Sequence, residues 1–151
     1  MSDEYLRAMK ELWTNSDPQF EGEYVSFDGI TCEPKPLQNP LPIWIGGHSA
    51  RAMRRVVEFG DGWLAVPKSV EAFEESLGAL KIAADKAGRA MSDIPITISP
   101  MYVDSVDSYA EECKHYSGMG YDSFFAMLPF WTQGLDGILK TMDDFAKKMN
   151  M

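Results

Sequence analysis

The chain has 151 residues, 45% of them hydrophobic and 25% charged, and carries a net charge of −9 at pH 7. This length and composition allow a single domain with one buried core. The negative charge excludes nucleic acid and anionic membranes as partners, because both require clustered lysine and arginine. The N-terminal sequence MSDEYLRAMK lacks the apolar core of a signal peptide, and no apolar run is long enough to span a membrane. We therefore expect a cytoplasmic protein.

The first 41 residues predict a helix followed by a small β-excursion. Residues 2–13 carry apolar side chains at helical spacing, with Ser2 as the N-cap. The stretch FEGEYVSF, closed by Asp28 and Gly29, predicts two short strands. Four prolines within residues 33–42 then require an extended loop. Residues 1–41 therefore belong to the same domain as the βα units that follow and do not form a separate domain.

From residue 42 to residue 151 the chain alternates between predicted strands and predicted helices. The strands are IWIG, GWLAV, PITISPMYV and SFFAML, and the helices cover about residues 49–59, 69–87, 105–116 and 135–149. Gly88 is placed to end the second of these helices. The last helix has one apolar face that we expect to be directed at the core: Leu135, Ile138, Leu139, Met142, Phe145 and Met149. This alternation predicts an α/β fold with a parallel sheet, and about four βα units correspond to half of a (β/α)8 barrel.

The carboxyl ends of the predicted strands define one expected ligand face. Ligands of α/β proteins gather at this edge of the sheet, which here comprises residues 46–49, 65–68, 99–102 and 128–131. Lys68 could meet an anionic ligand there. Tyr102, Phe130 and Trp131 could line an apolar substrate pocket, although aromatic residues at strand ends serve equally often in packing.

The stretch PIWIGGHS is the strongest local indication of a binding site. A buried strand runs into Gly46 and Gly47, and Ser49 is a suitable N-cap for the helix that follows. The free backbone N–H groups at such a helix start favour a phosphate or carboxylate, and glycine allows a ligand to approach closely. A plain strand-to-helix turn explains the same residues equally well, because a glycine pair alone is a weak motif.

The arginine and histidine residues in and after this stretch can each be explained by a functional role or by a structural one. Arg51, Arg54 and Arg55 lie at the start of a helix, where a bound anion would offset their unfavourable position in the helix dipole, but pairing with Glu58, Asp61 or other acidic neighbours is the simpler account. His48 could act as a general acid, or contribute only its backbone N–H with its ring in solvent. His115 is expected on the surface.

The motif GDGW is interpreted as structural. Gly60 suits a left-handed residue at a helix end, Asp61 can accept hydrogen bonds from turn amides, and Gly62 admits a close neighbour. Trp63 is expected in the core. The two cysteines do not form a C-x-x-C pair, and we predict no metal site.

Several segments together resemble the bacterial luciferase-like oxidoreductases, and most closely their deazaflavin (coenzyme F420)-dependent branch. The matching segments, in order, are LWT, F-x-G-x-Y, P-K-P-x-Q, P-I-W-I-G-G-x-S, R-R, G-D-G-W and A-G-R. The resemblance implies a TIM barrel of about twice this length, of which this chain corresponds to the C-terminal half. It also implies that the loop around Gly46, Gly47, His48 and Ser49 holds a cofactor phosphate, with Arg51 as a nearby cation.

The resemblance implies F420 as the cofactor, with FMN as the alternative, and hydride transfer to or from a small organic substrate. An FMN enzyme would instead be a monooxygenase. It assigns no catalytic residue, because much of the substrate surface in this family lies in the other half of the barrel. A non-catalytic cofactor-binding module and an inert truncated fragment are therefore retained as alternatives. An isolated half-barrel has open sheet edges, so we expect a homo-oligomer or pairing with an N-terminal half-barrel.

Overall fold

A computed structural model describes residues 1–126 and 134–149. The helices are α1 (Ser2–Thr14), α2 (Ala50–Glu58), α3 (Val70–Ala87), α4 (Val106–Gly118) and α5 (Gly134–Met149). The strands are β1 (Phe20–Glu21), β2 (Ser26–Phe27), β3 (Trp44–Gly46), β4 (Gly62–Ala65) and β5 (Ile96–Ile98). The predicted cap at Ser49 is confirmed, Ser69 and Ser105 cap α3 and α4 in the same way, and Gly88 ends α3 in the left-handed conformation. The cap predicted at Ser2 is wrong, because Ser2 is already helical and Met1 occupies the cap position.

The main sheet is parallel, in the order β3-β4-β5. Ile45 pairs with Trp63, which in turn pairs with Ile96. Phe124 forms a parallel bridge to Ile98, so the start of the predicted strand SFFAML extends the sheet beyond β5. Each of these four strand positions precedes one of the helices α2 to α5, which confirms the predicted run of βα units. Over residues 1–126 and 134–149 the sheet is open and does not close into a barrel.

The two faces of the sheet differ in exposure. Ile45, Trp63 and Ile98 lie on the face covered by helices and are buried. Phe73 of α3 stacks on Trp63 with ring centroids 5.7 Å apart, and Tyr116 of α4 meets Phe73 edge-on at 5.2 Å. On the other face the Trp44 side chain is 43% exposed. This is the face that would line the interior of a complete barrel.

The helix α1 joins the β1–β2 excursion to the main unit. The carboxylate of Glu4 accepts hydrogen bonds from the N–H groups of Tyr24, at 2.8 Å, and Val25, at 2.9 Å. Burial opposes ionisation of Glu4, but these backbone donors outweigh it and lower its pKa. A Cβ on Gly22 would lie 2.1 Å from Glu4 Oε1, so the glycine of F-x-G-x-Y leaves room for the carboxylate. Asp3 on the same helix forms ion pairs with Arg54 and Arg55 of α2.

The prediction that the apolar face of α5 is directed at the core is confirmed only in part. Leu135, Leu139 and Met142 are 69%, 53% and 52% exposed. Phe145, which belongs to the same predicted face, does pack on α4, where its ring centroid lies 5.4 Å from that of Tyr109. Helical periodicity reveals that a face is apolar, but not which element covers it.

Candidate functional site

The β3–α2 loop contains the predicted glycine pair at the carboxyl edge of the sheet. Gly46 is the last residue of β3, and a Cβ placed on it would have no neighbour within 4 Å. Gly47 has a φ of +102°, which side-chain-bearing residues rarely adopt. The Ser49 hydroxyl accepts a hydrogen bond from Ala52 N–H at 3.2 Å and caps α2. The loop thus combines open space over Gly46 with a well-formed helix start.

The helix start at Ala50 retains unused donors. Within the described part of the chain, the N–H groups of Ala50 and Arg51 have no hydrogen-bond acceptor. These are the first two N–H groups of α2, and they carry the partial positive charge of the helix N-terminus. Arg51 is exposed beside them. The chemistry of these residues is compatible with a phosphate group.

Three residues of the motif GDGW contact the segment PIWIGG through hydrogen bonds or close packing. Asp61 accepts a hydrogen bond from Ile43 N–H through Oδ2 at 2.8 Å, and its own N–H donates to Ile43 O at 2.7 Å. The Trp44 ring covers Gly62, where a Cβ would lie 2.8 Å from it. Trp63 Nε1–H donates to Gly47 O at 2.9 Å. The two motifs thus build a single structure, in which β4 holds the loop that follows β3.

Gly60 has a different role from the one predicted. Its φ is not positive, so it is not the left-handed residue expected at the end of α2. A Cβ at this position would instead lie 2.8 Å from Ile45 Cγ1 and 3.0 Å from Val56 O. Lack of space, rather than backbone conformation, therefore requires glycine here. Asp61 does accept a backbone hydrogen bond, but the donor is Ile43 N–H just before β3 rather than an amide of its own turn.

The ring of His48 is held by hydrogen bonds to two other elements, which contradicts the expectation of a ring in solvent. Nε2 accepts a hydrogen bond from Val66 N–H at 3.1 Å, and Nδ1 lies 3.0 Å from Ser76 Oγ. Because Nε2 is an acceptor, the proton of the neutral ring is on Nδ1 and is donated to Ser76. Ser76 in turn donates to Ala72 O at 2.8 Å. With both ring nitrogens engaged, the geometry does not favour the general-acid role.

The three arginines of α2 have separate environments. Arg54 pairs with Asp3 and Glu58, and Arg55 pairs with Asp3, so the prediction of acidic partners is confirmed for these two residues. Side-chain hydrogen bonds from Arg55 and Arg54 lower the pKa of Asp3 to about 2. Arg51 forms no ion pair with a described residue. It is therefore the arginine available to an anion at the helix start.

A cavity of about 450 Å³ adjoins His48 at the carboxyl edge of the sheet. It brings together two predicted residues, since Lys68 after β4 and Tyr102 after β5 both line it. Tyr102 is 62% exposed, so it borders the opening. A larger groove of about 660 Å³ lies between α2 and α3, away from the strand ends. We assign the functional site to the smaller cavity and the adjoining glycine loop, because ligands of this fold class bind at that edge.

Other predicted residues are placed as follows. Trp63 is fully buried in the core, and His115 is exposed, as expected. Phe130 and Trp131, with the strand end at 128–131, lie outside the described residues. Among residues 1–126 and 134–149, no group of three potential metal ligands occurs and no helix is long and apolar enough to cross a membrane.

Sequence reasoning missed Ser76, Val66 and the role of Arg89. Arg89 Nη1 donates to three carbonyl oxygens at the end of α2, those of Val56 (3.0 Å), Val57 (3.2 Å) and Gly60 (2.7 Å). The A-G-R motif could have indicated a structural role, because its arginine directly follows the end of α3. The sequence does not show that the arginine binds the end of α2. Ser76 and Val66 carry no such signal.

An open run of βα units with a glycine loop at its carboxyl edge is the arrangement found in parts of (β/α)8 barrels. The family model for luciferase-like monooxygenases matches residues 1–143, and the chain belongs to this family. The sequence-based resemblance is thereby confirmed.

Similar proteins include both F420-dependent and FMNH2-dependent enzymes. The chain is 33% identical over 91 residues to an FMNH2-dependent dimethylsulfone monooxygenase of Pseudomonas putida, a match that covers 60% of this chain and 25% of that protein. It is 32% identical over 93 residues to an F420-dependent glucose-6-phosphate dehydrogenase of Nakamurella multipartita, covering 60% and 27%.

A solved F420-dependent secondary alcohol dehydrogenase, in complex with an F420-acetone adduct, has the same fold. The TM-score is 0.57 and the sequence identity 15%, and the superposition covers 98% of this chain and 52% of that one. The chain thus spans about half of this structural neighbour, and its matches span less than a third of the two curated relatives above.

Proposed function

We propose that this chain binds the cofactor phosphate in a luciferase-like oxidoreductase, with F420 as the cofactor and FMN as the alternative. The observation that carries the proposal is the β3–α2 loop, where open space over Gly46 meets the free N–H groups of Ala50 and Arg51. An anionic group at this position would be stabilised by the helix dipole and by the exposed Arg51 side chain. Relatives that use F420 and FMNH2 support a flavin or deazaflavin as the source of that phosphate.

The residues of this chain would bind and orient the cofactor, while the cofactor carries the redox chemistry. A bound deazaflavin supplies hydride transfer to or from an organic substrate, whereas reduced FMN activates oxygen. Gly46 would allow close approach, and the clamped backbone of Gly47 would hold the loop in shape without ligand-induced rearrangement. Lys68 and Tyr102 line the adjoining cavity, where a small-molecule substrate or another part of the cofactor would lie.

A non-catalytic cofactor-binding or structural module is the second candidate. The observation that favours it is the open sheet, which contains four strand positions in the described residues where a closed barrel has eight. Such a unit could retain a phosphate site and still lack a complete substrate pocket. An inert truncated fragment differs from both candidates because it would bind no cofactor.

The experiment is a fluorescence titration of the purified protein with F420 and, in parallel, with FMN. Gly46→Phe fills the space over the loop without requiring a positive φ, so it should fold and abolish binding. Gly118→Phe is the matched control, because Gly118 also has no neighbour within 4 Å of a Cβ but lies at the end of α4. Saturable binding that only Gly46→Phe removes would support the site. Absence of binding in the wild type, or equal binding by both variants, would refute it.

Binding and turnover then separate the first two candidates. The enzyme candidate predicts substrate-dependent oxidation of the reduced cofactor or reduction of the oxidised cofactor, measured by absorbance. The module candidate predicts the same titration curve without turnover.

A further inference from the structure

We propose that His48 is a positioning residue, whose neutral imidazole fixes the β3–α2 loop in the conformation that receives the cofactor phosphate. This inference rests on the proposed function and adds to it a residue that acts through the loop rather than on the substrate. It follows from the hydrogen bonds of the ring and from the position of its partners on two other elements.

The ring links the loop to the next βα unit. Val66 is one residue beyond the end of β4, and its N–H donates to His48 Nε2 at 3.1 Å. Ser76 is buried within α3 and accepts from Nδ1 at a distance of 3.0 Å. One side chain therefore connects the β3–α2 loop, the end of β4 and the interior of α3. The Ser49 hydroxyl, by contrast, accepts from Ala52 N–H within its own helix start.

A second contact fixes the loop beside the histidine. Trp63 Nε1–H donates to the carbonyl oxygen of Gly47, and the edge of the His48 ring packs against Trp63 with centroids 5.7 Å apart. Gly47 and His48 are consecutive residues. The loop backbone is therefore held through the carbonyl group of Gly47 and through the ring of His48. The N–H groups of Ala50 and Arg51 take no part in these contacts and have no hydrogen-bond acceptor among the described residues.

The hydrogen-bond pattern requires one protonation state. Nε2 accepts from an amide, and a proton on Nε2 would set two donors against each other. The tautomer with its proton on Nδ1 is therefore the form that satisfies both partners. Lys68 on the β4–α3 connection, Glu75 on α3 and Tyr102 after β5 line the cavity beside this ring.

Three variants separate positioning from general structural importance. His48→Ala removes both hydrogen bonds. His48→Gln places an amide oxygen near the position of Nε2 and cannot be protonated, so it should restore the bond from Val66. His115→Ala is the matched control, because His115 is the only other histidine and is exposed on α4. Circular dichroism melting of each variant verifies that it is folded.

Two measurements are made on each variant. Amide hydrogen exchange is followed in peptides that cover residues 44–52 and 64–72, and the Kd for F420 and FMN is measured by fluorescence. In His48→Ala we expect faster exchange in both peptides and a Kd weaker by about tenfold, the effect of losing a hydrogen bond of ordinary strength. His48→Gln should stay close to the wild type in both measurements, as should His115→Ala.

Failure of this inference is distinguishable from failure of the proposed function. If the wild type binds a cofactor but His48→Ala binds and exchanges like the wild type, or His48→Gln is as impaired as His48→Ala, only the positioning role is overturned. If the wild type binds neither F420 nor FMN, the proposed function is overturned and the positioning role with it.

Discussion

At the scale of single residues, Trp63 carries two roles on one side chain. Its indole is fully buried and stacks on Phe73, and its Nε1–H reaches the Gly47 carbonyl 16 residues earlier in the chain. The core of the protein and the conformation of the proposed phosphate loop are therefore coupled through this ring. A substitution that preserves aromatic packing but removes the donor should affect the loop more than the fold.

Trp63→Phe tests this coupling. The ring is retained in part, but Gly47 O loses its donor and the smaller side chain leaves space. We expect a loss of about 2 kcal/mol in the free energy of unfolding, measured with urea, together with faster amide exchange in the β3–α2 loop. Trp44→Phe is the control, because its ring is 43% exposed. An unchanged exchange rate in the loop would show that the hydrogen bond does not hold it.

Asp3 provides a pH-dependent prediction at the same scale. Its pKa is lowered from 3.8 to about 2 by hydrogen bonds from Arg55 and Arg54, so the folded protein binds this proton more weakly than the unfolded chain. Its stabilising effect is therefore present above about pH 4 and is lost as the pH falls towards 2. Because the ion pairs are partly exposed, the effect should be modest and salt-sensitive.

The measurement for Asp3 is the Tm of the wild type and of Asp3→Asn as a function of pH. The wild type should melt at a higher temperature near pH 6, and the difference should shrink as the pH approaches 2. A difference that persists unchanged at pH 2 would contradict the assigned ion pairs.

At the scale of secondary-structure elements, α2 is held at both ends and along one side. Ser49 caps its N-terminus, and Arg89 binds carbonyl oxygens at its C-terminus. Along its side, Asp3 of α1 pairs with Arg54 and Arg55. These contacts orient the helix whose first N–H groups are proposed to meet the phosphate.

Arg89→Met should release the C-terminal end of α2. The guanidinium donates hydrogen bonds to the carbonyl oxygens of residues 56, 57 and 60 and to Asp93 O, and the substitution removes all of these bonds. We expect a loss of about 2 to 3 kcal/mol in the free energy of unfolding by urea, because hydrogen bonds from charged groups are stronger than average. Lys86→Met, an exposed substitution in the same region, should change it by less than about 0.5 kcal/mol. Similar losses in the two variants would argue against the contact.

The elements that sequence predicts best are those encoded by neighbouring residues. The N-caps at Ser49, Ser69 and Ser105 each use a hydrogen bond to an amide three residues later, and Gly88 follows its helix directly. Such signals can be recognised in a single sequence. The bonds from Arg89 to α2 and between His48 and Ser76 span about 30 residues, so they depend on how the elements pack. The same limitation explains the wrong prediction for Gly60 and the exposure of Leu135, Leu139 and Met142 on α5.

At the scale of the whole molecule, the open sheet exposes apolar groups. Trp44 lies on the uncovered sheet face, and Leu135, Leu139 and Met142 form an exposed stripe along α5. The half-barrel predicted from the alternation of strands and helices is confirmed. This alternation could be predicted because the apolar residues of each strand and helix recur at the spacing typical of that element. The solved F420-dependent neighbour extends to about twice the length of this chain.

Exposure on this scale predicts self-association of the 151-residue chain. We expect light scattering after size-exclusion chromatography to show species larger than a monomer. The fraction of these species should increase with protein concentration. A variant with Leu135→Lys and Leu139→Lys should associate less, whereas Lys81→Gln on exposed α3 surface should not differ from the wild type. A monodisperse monomer at all concentrations would contradict this prediction. Association abolished by an added N-terminal half-barrel would identify that half as the preferred partner.

The most direct measurement of the central claim is the change in backbone amide chemical shifts during titration with F420 and with FMN. The proposed phosphate site predicts saturable shifts concentrated at Gly47, Ala50 and Arg51, because their N–H groups lie at the loop and the start of α2. The cofactor that saturates at the lower concentration is then the preferred one. Saturable shifts confined to other parts of the chain, or no shifts with either cofactor, would contradict the account.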